Sequence, residues 1–223
     1  MNRGVLVGLV VLVLIAIGAG GWFYLSGRDI DVAQPAAADA SEKAEAVPVV
    51  TPDDKFLGKA DAPVTIVEYF SLGCPHCKHF HEDILPKLKA DYIDTGKARL
   101  VFRDFPLDGV SFAAAALTRC VNDLAYFAMV DTLFAQQDTW HVQGGVDKIA
   151  DIAKGVGMDR AAFDACIKDK DRNAKILAIQ KEAADKFKVE ATPTFFINDR
   201  KLSGVGEYEP FKQNIEAALA AAE

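Results

Sequence analysis

The sequence predicts an α/β fold: a βαβ unit, a long helical block, then a β-hairpin and a closing helix, all behind an apolar N-terminal segment. Three observations predict it. Runs mixing β-branched and aromatic residues occur at 64–70, 99–105 and 194–197, the marks of buried strands. Nothing between 111 and 187 reads as a strand, whereas Ala-rich and amphipathic stretches there carry helical spacing. Finally, 223 residues suffice for one domain with a sizeable core, or one domain carrying an insertion, but hardly for two large ones.

From the N-terminus, residues 5–25 form an uncharged run of 21. A helix of that length spans about 30 Å, the thickness of a bilayer's hydrocarbon core. Arg3 precedes the run and Asp29 and Asp31 follow it, which places the N-terminus in the cytosol and the remainder outside. Residues 1–27 are therefore expected to be a membrane anchor or a signal peptide. The aromatic end Trp22-Phe23-Tyr24 favours the anchor, while Ala19-Gly20-Gly21 offers small residues for cleavage. Residues 28–55 are rich in Ala, contain Pro35, Pro48 and Pro52, and carry little to bury, so they read as a disordered linker. A net charge of −7 leaves no basic footprint for nucleic acid.

The first strand, 64–70, is apolar but for Glu68, and a carboxylate inside a buried strand needs a reason. A helix is expected over 75–92, kinked at Pro86, whose missing N–H removes the bond to the Glu82 carbonyl. With the strand at 99–105 this makes a βαβ unit with a parallel pair. Helices follow at 111–121, 124–137, 145–155, 159–168 and 170–187, broken by Gly144-Gly145, Gly155 and Gly157. A hairpin over 194–203 turns at Asn198-Asp199, and Pro210 opens a last helix over 211–221.

Cys74-Pro75-His76-Cys77 lies where the first strand hands over to the first helix. Cysteines two residues apart can close a small disulfide that reopens. At a helix N-terminus the Cys74 sulfur also faces the unpaired N–H groups of His76 and Cys77, which favour a thiolate. A cationic His76 would add to this. A stable thiolate leaves readily, so a disulfide held at Cys74 is easily passed on. The same stretch, Cys74, His76, Cys77, His79 and His81, holds soft and imidazole donors, but no distant segment completes a tetrahedral site, so neither a metal nor a cofactor is expected.

These residues, with Thr192-Pro193 leading into the hairpin and helices inserted between two halves, resemble the DsbA family of thioredoxin-fold disulfide oxidoreductases. The resemblance implies a thioredoxin fold, with 56–110 and 187–223 forming the thioredoxin-like domain and 111–186 an inserted all-helical domain. It implies that Cys74 is the exposed nucleophilic sulfur and Cys77 its buried partner, with Pro75 and His76 between them. Glu68 corresponds to a buried acid that relays protons to Cys77; the bland reading is a core carboxylate satisfied by a lysine. Pro193 corresponds to a cis-proline, and Thr192 before it would pair with a substrate strand. Valine commonly stands at that position in the family, and threonine resembles the isomerase and reductase branches more. Cys120 and Cys166, in separate helices, are expected to form a structural disulfide, the two remaining cysteines of an oxidising compartment.

The expected function is thus an enzyme, a thiol-disulfide oxidoreductase that introduces disulfides into cysteine-containing exported proteins. It would work on the periplasmic side of a bacterial inner membrane, held there by its N-terminal helix or soluble in the periplasm if that segment is cleaved, and be reoxidised by a DsbB-like quinone-linked membrane protein. The alternatives are a disulfide isomerase or reductase, or a non-catalytic metal-binding or substrate-holding module.

Overall fold

The computed structural model describes residues 41–204 and 206–222. The proposed anchor, 1–27, and the linker before Ser41 lie outside the described residues. Among the described residues no helix is long and apolar enough to cross a membrane.

Among the described residues six strands form one sheet: β1 (Ser41–Lys43), β2 (Lys55–Leu57), β3 (Val64–Phe70), β4 (Ala98–Asp104), β5 (Thr194–Ile197) and β6 (Arg200–Ser203), in the order β1-β6-β5-β3-β4-β2. Only β3 and β4 are parallel, registered from Val64 opposite Ala98 to Phe70 opposite Asp104. The helix joining them runs on one side of the sheet, as a crossover requires. β3 is central and covered on both faces. Val64, Ile66 and Phe70 enter the larger core, and Val67 and Tyr69 enter a second core on the opposite face. By the two-residue period of a strand, Glu68 shares the face of Ile66 and Phe70.

The crossover helix α1 comprises Pro75–His79, Phe80–Ile84, Leu85–Leu88 and Lys89–Ile93, the second and fourth pieces being widened π turns. Pro86 does not break it. The Leu85 N–H reaches back five residues to the Phe80 carbonyl, so the ladder passes the proline by a wider turn.

The helical block contains α2 (Gly109–Thr118), α3 (Asp123–Ala135), α4 (Gln137–Trp140), α5 (Val146–Lys154), α6 (Arg160–Ile167) and α7 (Lys170–Phe187). Asp108, Asn122, Asp159 and Asp169 cap α2, α3, α6 and α7 with side-chain oxygens that accept first-turn N–H groups. The expected single helix over 124–137 ends at Ala135. The backbone leaves helical geometry at Gln136, and α4 starts after it.

These helices are inserted in sequence but not set apart in space. Tyr126, Met129, Trp140 and Phe163 share one core with Phe70, Cys77, Phe80 and Phe211, while Ala183 and Phe187 of α7 close the other face against Val67, Tyr69 and Phe196. The closing helix α8 is Tyr208–Ala220, beginning two residues before Pro210. A proline in the first turn is tolerated because the first N–H groups of a helix have no partner in it anyway.

The described end of the expected linker is ordered instead of disordered. β1 pairs with β6 and becomes the edge of the sheet, Pro48 is buried, and Arg103 clasps Asp54 with bonds of 3.0 and 2.8 Å while also donating to the Val49 carbonyl at 2.6 Å. Composition argued for disorder because few apolar residues are available there. The ordering comes instead from backbone pairing with β6 and from a buried guanidinium that needs acceptors. Burial pushes the Asp54 carboxyl up, but the bonds from Arg103 and Thr51 outweigh it and leave the group below its usual value.

Candidate active site

The turn after β3 sets Cys74 at the mouth of α1. Its backbone is extended, φ −84° and ψ 121°, and Pro75 follows as the first helical residue, where a missing N–H leaves nothing unpaired. The Cys74 N–H closes the turn on the Ser71 carbonyl at 3.0 Å.

Gln137 and a group of side chains around Asp108 hold this turn from outside. Gln137, buried at the start of α4, donates its amide to the carbonyls of Leu72 (2.6 Å) and Cys74 (3.1 Å). Asp108 accepts the Ser111 hydroxyl at 2.8 Å and lies 2.9 Å from His141 Nε2, and this group presses against Gly73. A Cβ on Gly73 would lie 2.2 Å from Ser111 Oγ and 2.7 Å from His141 Nε2, so only glycine permits the approach. Burial pushes the Asp108 carboxyl up, but the Ser111 N–H and His141 outweigh it and bring it down to about 2. Trp140-His141 carried no signal of this in the sequence; the partners are far apart along the chain.

Cys74 and Cys77 are both free thiols. Cys74, expected to be exposed, is only 5% exposed, because the Thr192 segment covers it. The Cys74 thiol donates to the Thr192 carbonyl at 3.2 Å, and the Thr192–Pro193 peptide bond is cis. The Thr192 hydroxyl oxygen is buried beside it without a hydrogen-bond partner.

The two thiols are pushed in opposite directions. Cys74 falls from its ordinary value to about 5, first through the hydrogen bond of the Cys77 thiol, against desolvation, and then through the Thr192 side chain and the N–H groups of Cys77 and His76. Cys77, fully buried, is pushed up by desolvation, by its bond to Cys74 and by the nearby charge of Glu68. Near neutral pH the reduced pair therefore holds one thiolate, on Cys74, and one thiol, on Cys77. Pro75 and His76 are exposed, and His76 serves the thiolate through its backbone N–H.

Glu68 is fully buried, and its partner is His81 rather than a lysine: His81 Nε2 stands 3.1 Å from Glu68 Oε2. His79, two residues earlier, points elsewhere and bonds Asp83 (2.7 Å) and the Gly206 carbonyl (3.0 Å). The histidines after Cys77 thus do not converge, and among the described residues no group of three or more His, Cys, Asp or Glu is placed to hold a metal ion. Cys120 and Cys166 are bonded to each other, tying the end of α2 to α6, and Arg172 bridges the same two segments through the carbonyls of Cys166 (3.2 Å) and Arg119 (3.3 Å).

Residues 50–217 match the family described as Thioredoxin. A putative protein-disulfide oxidoreductase of Rickettsia bellii is 34% identical over 148 residues, covering 66% of this chain and 57% of that protein. The chain thus spans little more than half the length of that relative. Disulfide bond formation protein D of Bacillus subtilis is 31% identical over 171 residues, covering 73% of this chain and 76% of that one. Among solved structures, alpha-DsbA1 of Wolbachia pipientis superposes with a TM-score of 0.72 at 34% identity, over 78% of this chain and 94% of that one.

Proposed function

From the premise that the chain belongs to the DsbA-like family of thioredoxin-fold disulfide oxidoreductases, we propose that it introduces disulfide bonds into cysteine-containing exported proteins. The observation that carries this reading is the split between the two thiols, Cys74 drawn down to about 5 and Cys77 pushed up. A thiolate this stable is a good leaving group, and a native state that stabilises the reduced pair makes the disulfide oxidising.

In the oxidised protein a substrate thiolate attacks Cys74 Sγ. A substrate–Cys74 disulfide forms, the Cys74–Cys77 bond breaks, and its electron pair goes to Cys77 Sγ, which takes up a proton. A second substrate thiolate then attacks the substrate sulfur of the mixed disulfide and expels Cys74 as a thiolate. The substrate leaves oxidised and the protein reduced. The Thr192 carbonyl, 3.2 Å from Cys74 Sγ, offers a backbone group to an extended substrate strand once the sulfur is engaged. Turnover requires reoxidation, which this reading assigns to a DsbB-like quinone-linked partner. The place of action is the periplasmic side of the inner membrane, with residues 1–27 as the tether.

The test is a trap. Cys77→Ser leaves Cys74 able to attack a substrate disulfide but removes the resolving thiol, so mixed disulfides with exported proteins should accumulate at Cys74 and vanish in Cys74→Ser. Failure to trap any partner, together with failure of the wild-type protein to oxidise a reduced peptide dithiol stoichiometrically, contradicts the reading. Thr192 favours a second reading, isomerisation or reduction, through the hydroxyl it places beside the thiolate. Refolding of a scrambled multi-disulfide protein separates the two: reshuffling without net oxidation supports the second.

A further inference from the structure

We propose that His81 is a positioning residue for the proton exchanged by Cys77: it holds one oxygen of the Glu68 carboxyl and leaves the other unpartnered in the core shared with the redox pair. The inference rests on the exchange reaction proposed above and adds to it a residue that neither the motif nor the resemblance singled out. Both side chains are out of water, Glu68 completely and His81 with 2% of its side chain exposed. Their mutual contact of 3.1 Å is the hydrogen bond each makes, since Glu68 Oε1 and His81 Nδ1 have no partner. Around the imidazole stand the rings of Phe70, Phe80, Phe102 and Phe134, with centroids 4.4 to 5.8 Å away.

Such surroundings make an unassisted carboxylate costly. A lysine would supply fixed charge and donors only. An imidazole nitrogen can donate to a carboxylate or accept from a carboxylic acid, so the pair can gain or lose one proton and keep its hydrogen bond. The unpartnered Oε1 is then the atom free to exchange that proton. Glu68 lies close enough to Cys77 for its charge to raise the thiol. On α3, Asp131 feels the charge of His81, and Tyr126 feels those of Glu68, of Asp104 on β4 and of Arg119, whose guanidinium stands 5.3 Å from its ring centroid. β4 contributes the Phe102 ring to the imidazole's surroundings.

When the substrate thiolate opens the disulfide, the electron pair left on Cys77 Sγ takes the proton of the Glu68 carboxyl, and the remaining carboxylate charge is held by the His81 N–H. In the reverse step the carboxylate takes the Cys77 proton as that sulfur attacks the mixed disulfide and expels the substrate thiolate.

The experiment follows opening of the oxidised full-length protein by glutathione from about pH 5 to about pH 9, with rates corrected for glutathione's own ionisation. Glu68→Gln and His81→Phe should each slow opening on the order of tenfold near neutral pH, the low end for a positioned proton donor. Both should erase the same inflection in the pH profile, with no further loss in the double variant. His81→Gln, which keeps an N–H for the carboxyl, should restore most of the rate. A His81→Phe profile that keeps the wild-type inflection overturns the proposal and leaves His81 a packing residue. Should His81→Phe not fold, Glu68→Gln decides: an unchanged profile overturns the proposal. A wild-type protein that opens with no thiol at all would instead bring down the exchange reaction itself.

Discussion

Two pairs of cysteines in one chain meet different fates because of where the fold puts them. Cys120 and Cys166, 46 residues apart, are bonded to each other and tie the end of α2 to α6. Cys74 and Cys77 share one helical turn and are made unequal by it: the first sits at the helix mouth under Thr192, the second in an apolar core beside Glu68. The bonded pair is a staple between two segments. An asymmetric pair makes a leaving group and a resolving thiol.

The sharpest way to break this comparison is to exchange sulfur for oxygen in each pair. Cys74→Ser should lower thiol-disulfide exchange by more than ~10³-fold, since no other thiol stands at the helix mouth. Assays with a reduced peptide dithiol check this, and residual activity near wild type would remove Cys74 from the centre of the account.

The next effect is one of pH. Cys74 titrates at about 5 in the folded reduced protein, against about 8.5 in an unfolded chain. Between those values the unfolded chain binds more protons, so stability rises with pH there. The reduced protein should lose on the order of 5 kcal/mol, as an upper bound, as pH falls from about 8.5 through 5. The oxidised protein has no thiolate at Cys74 and should lack this slope. Urea unfolding of both forms at several pH values measures the difference.

Removing the staple should act on stability alone. Cys120→Ala with Cys166→Ala is expected to cost about 4 kcal/mol in the loop-entropy view, while alkylation of Cys74 keeps its wild-type pH dependence. A shifted alkylation profile would show that the two pairs are coupled. Gly73→Ala should destabilise by about 1–3 kcal/mol, because its Cβ meets Ser111 and His141, and thermal melting reads it.

The smallest expected effect is at Thr192→Val. Without the hydroxyl the Cys74 thiolate loses a hydrogen bond, and its titration, followed by thiolate absorbance, should move up by about one unit. No movement would assign the depression to Cys77 and the helix N-terminus alone.

What could be read from the sequence was what local pattern carries. The βαβ unit, the cysteine at a helix start before a proline, and the hairpin after Thr192-Pro193 each occupy a short window whose periodicity or punctuation is visible without the fold. The parts that escaped join distant segments. Gln137 reaches Leu72 and Cys74 across 65 and 63 residues, and His141 meets Asp108 across 33, distances over which spacing says nothing. Glu68 announced itself as a charge in a buried strand, yet its partner could be known only once β3 and α1 were packed together. The ordering of 41–55 was hidden for a related reason: Arg103 and β6, both distant in sequence, supply partners to that segment.

If this fold stabilises the reduced form of Cys74–Cys77 through the Cys74 thiolate, the reduction potential of that pair, measured by equilibration with glutathione buffers, must be high. Reference values for two other members of the fold, about −120 mV for DsbA and about −270 mV for thioredoxin, bracket the measurement. A potential nearer the first value, falling out of that range when Thr192 and the helix-mouth geometry are altered, is the result predicted. A potential near the second would contradict the account and make the protein a reductant.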